Sequence, residues 1–138
     1  MKLKYTIFFI SLYASLAHAS PIVALDDYNI AIKRAQVENR QLIIFAYSNS
    51  CPYCRKMEAE TLSNKDITNM LNTNFIFLRA KVSGRRDGRY LFIDPNIPSY
   101  LNPKYVPTLY AVDPYSQAEI RTLIGYKSPK QFIKELFN

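Results

Sequence analysis

The chain contains only two cysteines, Cys51 and Cys54, and the segment around them constrains its fold more than any other. Pro52 and Tyr53 separate them in a C-P-Y-C motif, which follows a continuous apolar run over 42–47 and precedes a helix-like pattern. This order predicts a buried strand, a tight loop and a helix that begins at Cys51. The free N–H groups and partial positive charge of a helix start favour the thiolate of Cys51, which is the reactive form. Because Cys54 lies one turn later, the pair can alternate between a dithiol and a disulfide.

A structural disulfide is the alternative interpretation of this pair, because exported proteins often contain such cross-links. A bridge across so short a loop removes little entropy from the unfolded chain, so the spacing favours a redox couple. Two cysteines alone cannot supply the four ligands of a structural zinc site within one chain.

Residues 1–19 have the pattern of a cleavable secretory signal peptide. Lys2 and Lys4 form a basic start, an apolar core covers 6–16, and Ala17-His18-Ala19 is a small-residue cleavage pattern. We therefore expect an exported domain over residues 20–138. The apolar core is shorter than the roughly 20 residues that a spanning helix needs. An uncleaved segment that anchors the domain to the inner membrane is the alternative.

The residue types left in the exported domain exclude several kinds of catalysis. The only histidine, His18, is lost with the signal peptide, so no Ser-His-Asp or Cys-His pair is expected. No G-x-G-x-x-G segment indicates nicotinamide binding, and we expect no cofactor.

The chain is moderately basic, with a formal net charge of +7. Its densest basic cluster consists of Lys81, Arg85, Arg86 and Arg89. A solvated loop is the favoured interpretation of this cluster, and a binding patch for an anionic partner is the alternative. No repeat of aromatic and basic residues indicates nucleic acid, so none is expected as a partner.

The hydrophobic periodicity predicts a single domain in which helices and strands alternate before a final hairpin and helix. The expected helices cover 26–40, 52–62, 66–71 and the segment after the Ser128 cap, with Pro129 at its first position and Phe132, Ile133, Leu136 and Phe137 on its apolar face. The expected strands cover 42–47, 75–82, 108–112 and 118–124, the last two as an antiparallel hairpin. Residues 83–104 are expected to be irregular, with a short helix at 99–102.

With a C-x-x-C motif at the start of the helix after its first strand, the chain resembles the exported thioredoxin-related proteins of bacteria. It is similar to their small periplasmic members with a C-P-Y-C-x-x-M segment and to the C-terminal thioredoxin domain of the membrane electron transporter DsbD. The resemblance implies an α/β thioredoxin-like fold, a single domain whose central mixed sheet of about four or five strands is flanked by helices. It also implies a monomeric periplasmic thiol-disulfide oxidoreductase that acts on protein thiols and disulfides and receives electrons from a membrane donor of the DsbD type.

The same resemblance implies a second part of the site. Pro107 matches a cis proline of thioredoxin-like proteins, and a cis bond would leave the backbone groups of Val106 free to pair with an extended substrate. Gly125 matches a glycine after the last strand, where a bulky residue would crowd the site. Together with Pro52 and Tyr53, these residues are the expected substrate contacts.

Two positions depart from the thioredoxin pattern. Ser50 replaces a tryptophan, and Phe45 replaces a buried acid that is thought to help deprotonate the resolving cysteine, here Cys54. Glu58 matches a glutamate of the DsbD-type domain and falls one helical turn beyond Cys54, so it is the candidate proton acceptor. An exposed surface glutamate is the alternative.

Three functions are compatible with these residues. A periplasmic disulfide reductase is favoured. A disulfide-forming oxidase or isomerase is less expected, because the sequence has neither a helical insert of the oxidase kind nor a dimerisation domain of the isomerase kind. A non-catalytic module that grips extended clients beside Pro107 is the third, and the intact C-x-x-C motif counts against it.

Overall fold

The computed structural model describes residues 21–138, which form alternating strands and helices. The strands are β1 (Ala24–Leu25), β2 (Gln41–Tyr47), β3 (Phe75–Arg86), β4 (Arg89–Phe92), β5 (Thr108–Val112) and β6 (Glu119–Ile124). The helices are α1 (Tyr28–Glu38), α2 (Pro52–Lys56), α3 (Lys65–Asn74) and α4 (Pro129–Phe137), with a π-helical turn over Met57–Thr61 directly after α2 and a 3₁₀ turn over Ser99–Leu101.

The strands form one mixed sheet in the order β1-β3-β2-β5-β6, and β4 extends it by pairing with β3. Strand β2 is central, parallel to β3 and antiparallel to β5. The hairpin partner β6 runs antiparallel along β5. The predicted fold class, a mixed sheet flanked by helices in one domain, is confirmed, and the strand over 108–112 begins and ends where predicted.

The core has two layers, one on each face of β2. Leu42, Ile44 and Ala46 point to the layer covered by α1, whereas Ile43 and Phe45 point to the layer that contains residues of α3 and α4. All five side chains are fully buried. A strand buried on both faces therefore shows an uninterrupted apolar run, and this explains why 42–47 could be recognised.

The last helix begins as predicted but buries a narrower face than predicted. Ser128 accepts a hydrogen bond from the Gln131 N–H, and the Gln131 side chain accepts one from the Ser128 N–H, which forms a capping box. Phe132 and Leu136 are buried, whereas Ile133 and Phe137 are exposed. The predicted apolar face is wrong for these two residues, because only positions four apart point at the sheet here.

The prediction of an irregular link over 83–104 is wrong in its first part. Strand β3 continues to Arg86, and the chain turns at Asp87 and Gly88, both with positive φ, before it returns as β4. The 3₁₀ turn within 99–102 was predicted. Residues 83–86 are all exposed, so this end of β3 has no alternation of buried and exposed positions to reveal it.

The expected signal peptide, residues 1–19, lies outside the described residues. Within residues 21–138, no helix has the length and apolar character needed to cross a membrane.

Candidate active site

The two cysteines form a disulfide at the start of α2, with 5.2 Å between their Cα atoms. Cys51 is the residue that caps this helix, and Pro52 occupies its first position. The Cys54 N–H donates a hydrogen bond of 3.1 Å to Cys51 Sγ. When the disulfide is reduced, the same N–H and the helix start are positioned to stabilise a thiolate on Cys51.

The two sulfurs differ in their access to solvent. In Cys51, 8% of the surface is accessible to solvent, and in Cys54 only 1%. Pro52 and Tyr53, which lie between them, are exposed. Phe45, which occupies the position of the acid in thioredoxins, is fully buried. A client disulfide can therefore approach Cys51 more readily than Cys54.

The segment before β5 contacts the disulfide. The Val106 carbonyl oxygen lies 3.6 Å from Cys51 Sγ, and the Val106–Pro107 peptide bond is cis. The Gly125 N–H donates a 2.8 Å hydrogen bond to the Pro107 carbonyl, which joins the end of β6 to this segment. The fold thus brings three separate parts of the sequence together: Cys51, the Val106-Pro107 pair and Gly125.

The reason expected for Gly125, crowding of the site by a larger side chain, is wrong. A Cβ atom added at this position would have no atom within 4 Å. The backbone of Gly125 has a φ of +79°, a conformation that residues with a side chain rarely adopt. Glycine is therefore required here by the turn out of β6 and not by lack of space.

Glu58 lies in the π-helical turn, where its carboxylate forms an ion pair with Arg79 of β3. The Arg79 guanidinium also stacks on the ring of Tyr47, 4.8 Å from the ring centre, at the end of β2. Among the described residues, no hydrogen bond joins Glu58 to Cys54. The sequence interpretation overlooked Arg79, although a lone arginine within the apolar run over 75–80 was a visible signal.

Tyr126 is a second residue that the sequence interpretation overlooked. It directly follows Gly125, its hydroxyl donates to Glu60, and the Lys56 ammonium lies 4.5 Å from the centre of its ring. The hydrogen bond to Glu60 raises the pKa of the Tyr126 hydroxyl. These contacts fix Tyr126 between the helical segment after the C-x-x-C motif and the end of β6.

The chain matches a protein-family model over most of its length. The family described as "Thioredoxin-like domain" matches residues 28–138, which includes the C-x-x-C motif, Pro107 and Gly125. Mouse (Mus musculus) Anterior gradient protein 3 is 23% identical over 104 residues, 67% of this chain and 63% of that protein. The chain thus spans less than two thirds of the length of this relative.

Solved structures share the fold at low sequence identity. A thioredoxin from Thermus thermophilus superposes with a TM-score of 0.66 at 24% identity over 85% of each chain. A DsbH oxidoreductase superposes with a TM-score of 0.65 at 10% identity, covering 86% of this chain and 84% of its own. The oxidised C-terminal domain of DsbD from Neisseria meningitidis gives a TM-score of 0.50 at 17% identity, covering 77% and 87%.

Proposed function

This chain belongs to the thioredoxin-like domain family, and we propose that it is a periplasmic disulfide reductase whose redox centre is the Cys51/Cys54 pair. One observation carries this proposal. The disulfide lies at a helix start with its outer sulfur next to the backbone of Val106, so a client can reach the sulfur and a backbone partner together.

In the proposed reaction, the Cys51 thiolate attacks one sulfur of a client disulfide. The client S–S bond breaks, its second sulfur leaves as a thiolate that takes up a proton, and a mixed disulfide forms with Cys51. Cys54 then loses its proton and attacks Cys51 Sγ, which releases the second client thiol. Two electrons pass to the client, and the protein ends with the Cys51–Cys54 disulfide described above.

Client binding is assigned to residues around the two sulfurs. Val106 offers its backbone groups to an extended client segment, as in strand addition. Exposed Pro52 and Tyr53 form the opposite border, and Gly125 holds the Pro107 carbonyl in place. Glu58 is kept as the proposed proton acceptor for Cys54.

The charge around the motif favours the reducing direction. A strongly oxidising couple requires a strongly stabilised thiolate, because this stabilises the reduced form. Pro52 and Tyr53 bring no cation between the cysteines, whereas the Arg55 guanidinium, which donates to the neutral Asn49 carbonyl at 3.0 Å, keeps its positive charge just outside the motif. The Val106 carbonyl next to Cys51 Sγ presents negative partial charge, which offsets part of the stabilisation that the helix start gives a thiolate there.

Reduction of insulin by the full-length chain, with dithiothreitol as electron source, tests the exchange chemistry. We expect precipitation of the insulin B chain well above the rate with dithiothreitol alone. The Cys51→Ser variant is the matched control and should give only the dithiothreitol rate. Equal rates for both proteins would indicate a non-catalytic binding module instead.

Trapping of the thiol state in cells tests direction and location. We expect Cys51 and Cys54 to be largely dithiol in the periplasmic fraction and to become disulfide in a strain without the DsbD-type donor. This donor and the periplasmic location are proposed from the N-terminal pattern and the similarity to the DsbD domain. A pair that is disulfide in both strains would instead indicate an oxidase.

A further inference from the structure

A cavity of about 300 Å³ opens beside the candidate active site, on the α1 side of strands β5 and β6. Thr108 and Tyr110 of β5 form part of its wall, Arg89 lines it from the start of β4, and Lys104 and Tyr105 line it from the segment between β4 and β5. Tyr105 and Thr108 directly flank the Val106-Pro107 pair in the chain. The cavity is therefore next to the backbone that we propose receives the client.

Three cations, Arg85, Arg89 and Lys104, lie at or directly beside this cavity. The salt bridges within residues 21–138 do not include Arg85, Arg89 or Lys104. Asp87 stands in the same hairpin turn, yet it forms no salt bridge with them. Lys104, two positions from Val106, therefore offers positive charge that no salt bridge within these residues neutralises, and a client carboxylate would be attracted to it.

Two of these cations are held in place by the fold. Arg89 donates a 2.9 Å hydrogen bond to the Asn102 carbonyl, and Arg85 donates to the carbonyls of Gly88 and Lys104. The Arg85 guanidinium also lies 4.6 Å from the centre of the Tyr90 ring. A guanidinium that is already oriented loses less conformational entropy when it binds a ligand.

One acid also lines the cavity, but it lies far from the disulfide. Glu119 begins β6 and accepts a hydrogen bond from Thr122, whereas Ile124 ends this strand beside Gly125. Five residues of extended strand place the two ends about 16 Å apart. Lys104 is two positions from Val106, so the cavity is positive at the end that faces the client.

We propose that this cavity selects client segments with an acidic side chain close to their reactive cysteine, and this inference rests on the proposed function. The client carboxylate binds between Lys104 and Arg89, and neighbouring apolar atoms of the client pack on Tyr105. The hairpin of β3 and β4 thereby determines which disulfides are reduced, and Cys51 performs the exchange.

The test uses the full-length chain and disulfide-linked peptides that join a fluorophore to a quencher. The peptides are identical except for Asp, Asn or Lys placed two residues from the cysteine, on either side. The reduced protein transfers two electrons to each peptide disulfide, and fluorescence gives the rate. Each rate is divided by the rate for neutral hydroxyethyl disulfide measured with the same protein.

We expect the Asp peptide to be reduced about fivefold faster than the Lys peptide at low ionic strength, as two partly exposed ion pairs would give. High salt should weaken this preference. The Arg89→Glu and Lys104→Glu variants should lose or invert it. Within residues 21–138 the Lys104 side chain forms no hydrogen bond to the backbone, so Lys104→Glu tests the charge even if Arg89→Glu disturbs folding.

Arg86→Glu is the matched control, because Arg86 lies on the same hairpin but does not line the cavity. Equal reduction of the Asp and Lys peptides would overturn the proposal, as would a preference that survives Lys104→Glu or is lost equally in Arg86→Glu. If the unmodified protein fails to reduce hydroxyethyl disulfide, the proposed function itself is wrong.

Discussion

Cys51 and Cys54 differ in their position in the helix and in their exposure to solvent. Cys51 caps α2 and has 8% of its surface accessible to solvent, whereas only 1% of the surface of Cys54 is accessible. We expect iodoacetamide to modify Cys51 first in the reduced protein at mildly acidic pH, because its thiolate is better stabilised and more accessible. Peptide mapping by mass spectrometry measures the order. Faster modification of Cys54 would reverse the assignment of nucleophile.

Removal of the buried sulfur should stop the reaction halfway. A Cys54→Ser variant can still form a mixed disulfide through Cys51 but cannot resolve it. We expect client proteins linked to this variant to accumulate on non-reducing gels of cell extracts. The Cys51→Ser variant is the comparison and should trap far fewer clients. Equal trapping by the two variants would contradict the assigned order of attack.

A substitution at Glu58 tests whether Cys54 needs a proton acceptor. Buried surroundings disfavour loss of the Cys54 proton, and Phe45 replaces the usual acid. We expect Glu58→Gln to slow the resolution of a preformed mixed disulfide near neutral pH and to change the first attack by Cys51 much less. Stopped-flow traces of both steps across pH provide the measurement.

Arg79 provides the control for Glu58, because the two side chains form one ion pair. Arg79→Gln breaks this pair but leaves the carboxylate in place. If Glu58 acts as a base, only Glu58→Gln slows resolution and alters its pH profile. If both variants slow it alike, the pair only positions the π-helical turn.

The sequence could indicate the candidate site residues better than their supporting contacts. Cys51, Cys54 and Pro107 were identified because short motifs encode them. The pairing of Glu58 with Arg79 depends on a helical turn packing beside β3, and a sequence pattern does not encode such a contact. Gly125 was identified for the wrong reason, since a positive φ leaves no mark in the sequence except the glycine itself.

At the level of elements, β2, β5 and the first part of β3 could be predicted from apolar runs because their side chains are buried, and β6 could be predicted as the hairpin partner of β5. β2 and β5 are buried along almost their whole length, so their apolar runs marked their ends closely. The short β1, and the hairpin made by β4 and the extension of β3 over 83–86, contain no fully buried side chain and were overlooked. The same hairpin carries the basic residues, and a solvated loop was expected there.

Helix α4 depends on its capping box, so a change at Ser128 should weaken the whole domain. Ser128→Ala removes the hydrogen bond from the Gln131 N–H. We expect a loss of about 1 kcal/mol in the free energy of unfolding in urea, with an unchanged slope. Ser99→Ala is the control, because the Ser99 side chain is exposed and forms no hydrogen bond among the described residues. A similar loss in both variants would contradict this role of the cap.

At the scale of the whole molecule, two tyrosines couple the stability of the α1-side layer to pH. Burial raises the pKa of Tyr110 to about 12, with the Glu119 carboxylate adding to the shift and Arg89 opposing it. Burial, together with Tyr100 and Asp94, likewise raises the pKa of Tyr28 to about 12. Tyrosine in an unfolded chain has a pKa of about 10. Above that pH the unfolded chain binds fewer protons than the folded one, so the unfolding free energy falls as pH rises from about 10 to 12.

Tyr110→Phe should reduce this alkaline loss of stability. Between pH 8 and 11, a tyrosine with these two pKa values lowers the unfolding free energy by about 1.4 kcal/mol. The decrease measured by urea unfolding over that interval should therefore be about 1.4 kcal/mol smaller in Tyr110→Phe than in the unmodified chain. Leu109→Val, at the adjacent buried position of β5, is the control, because it removes core volume without removing a titrating group. It should lower stability equally at both pH values. An alkaline decrease that is the same in Tyr110→Phe and the unmodified chain would show that Tyr110 ionises as easily in the folded protein as in the unfolded one.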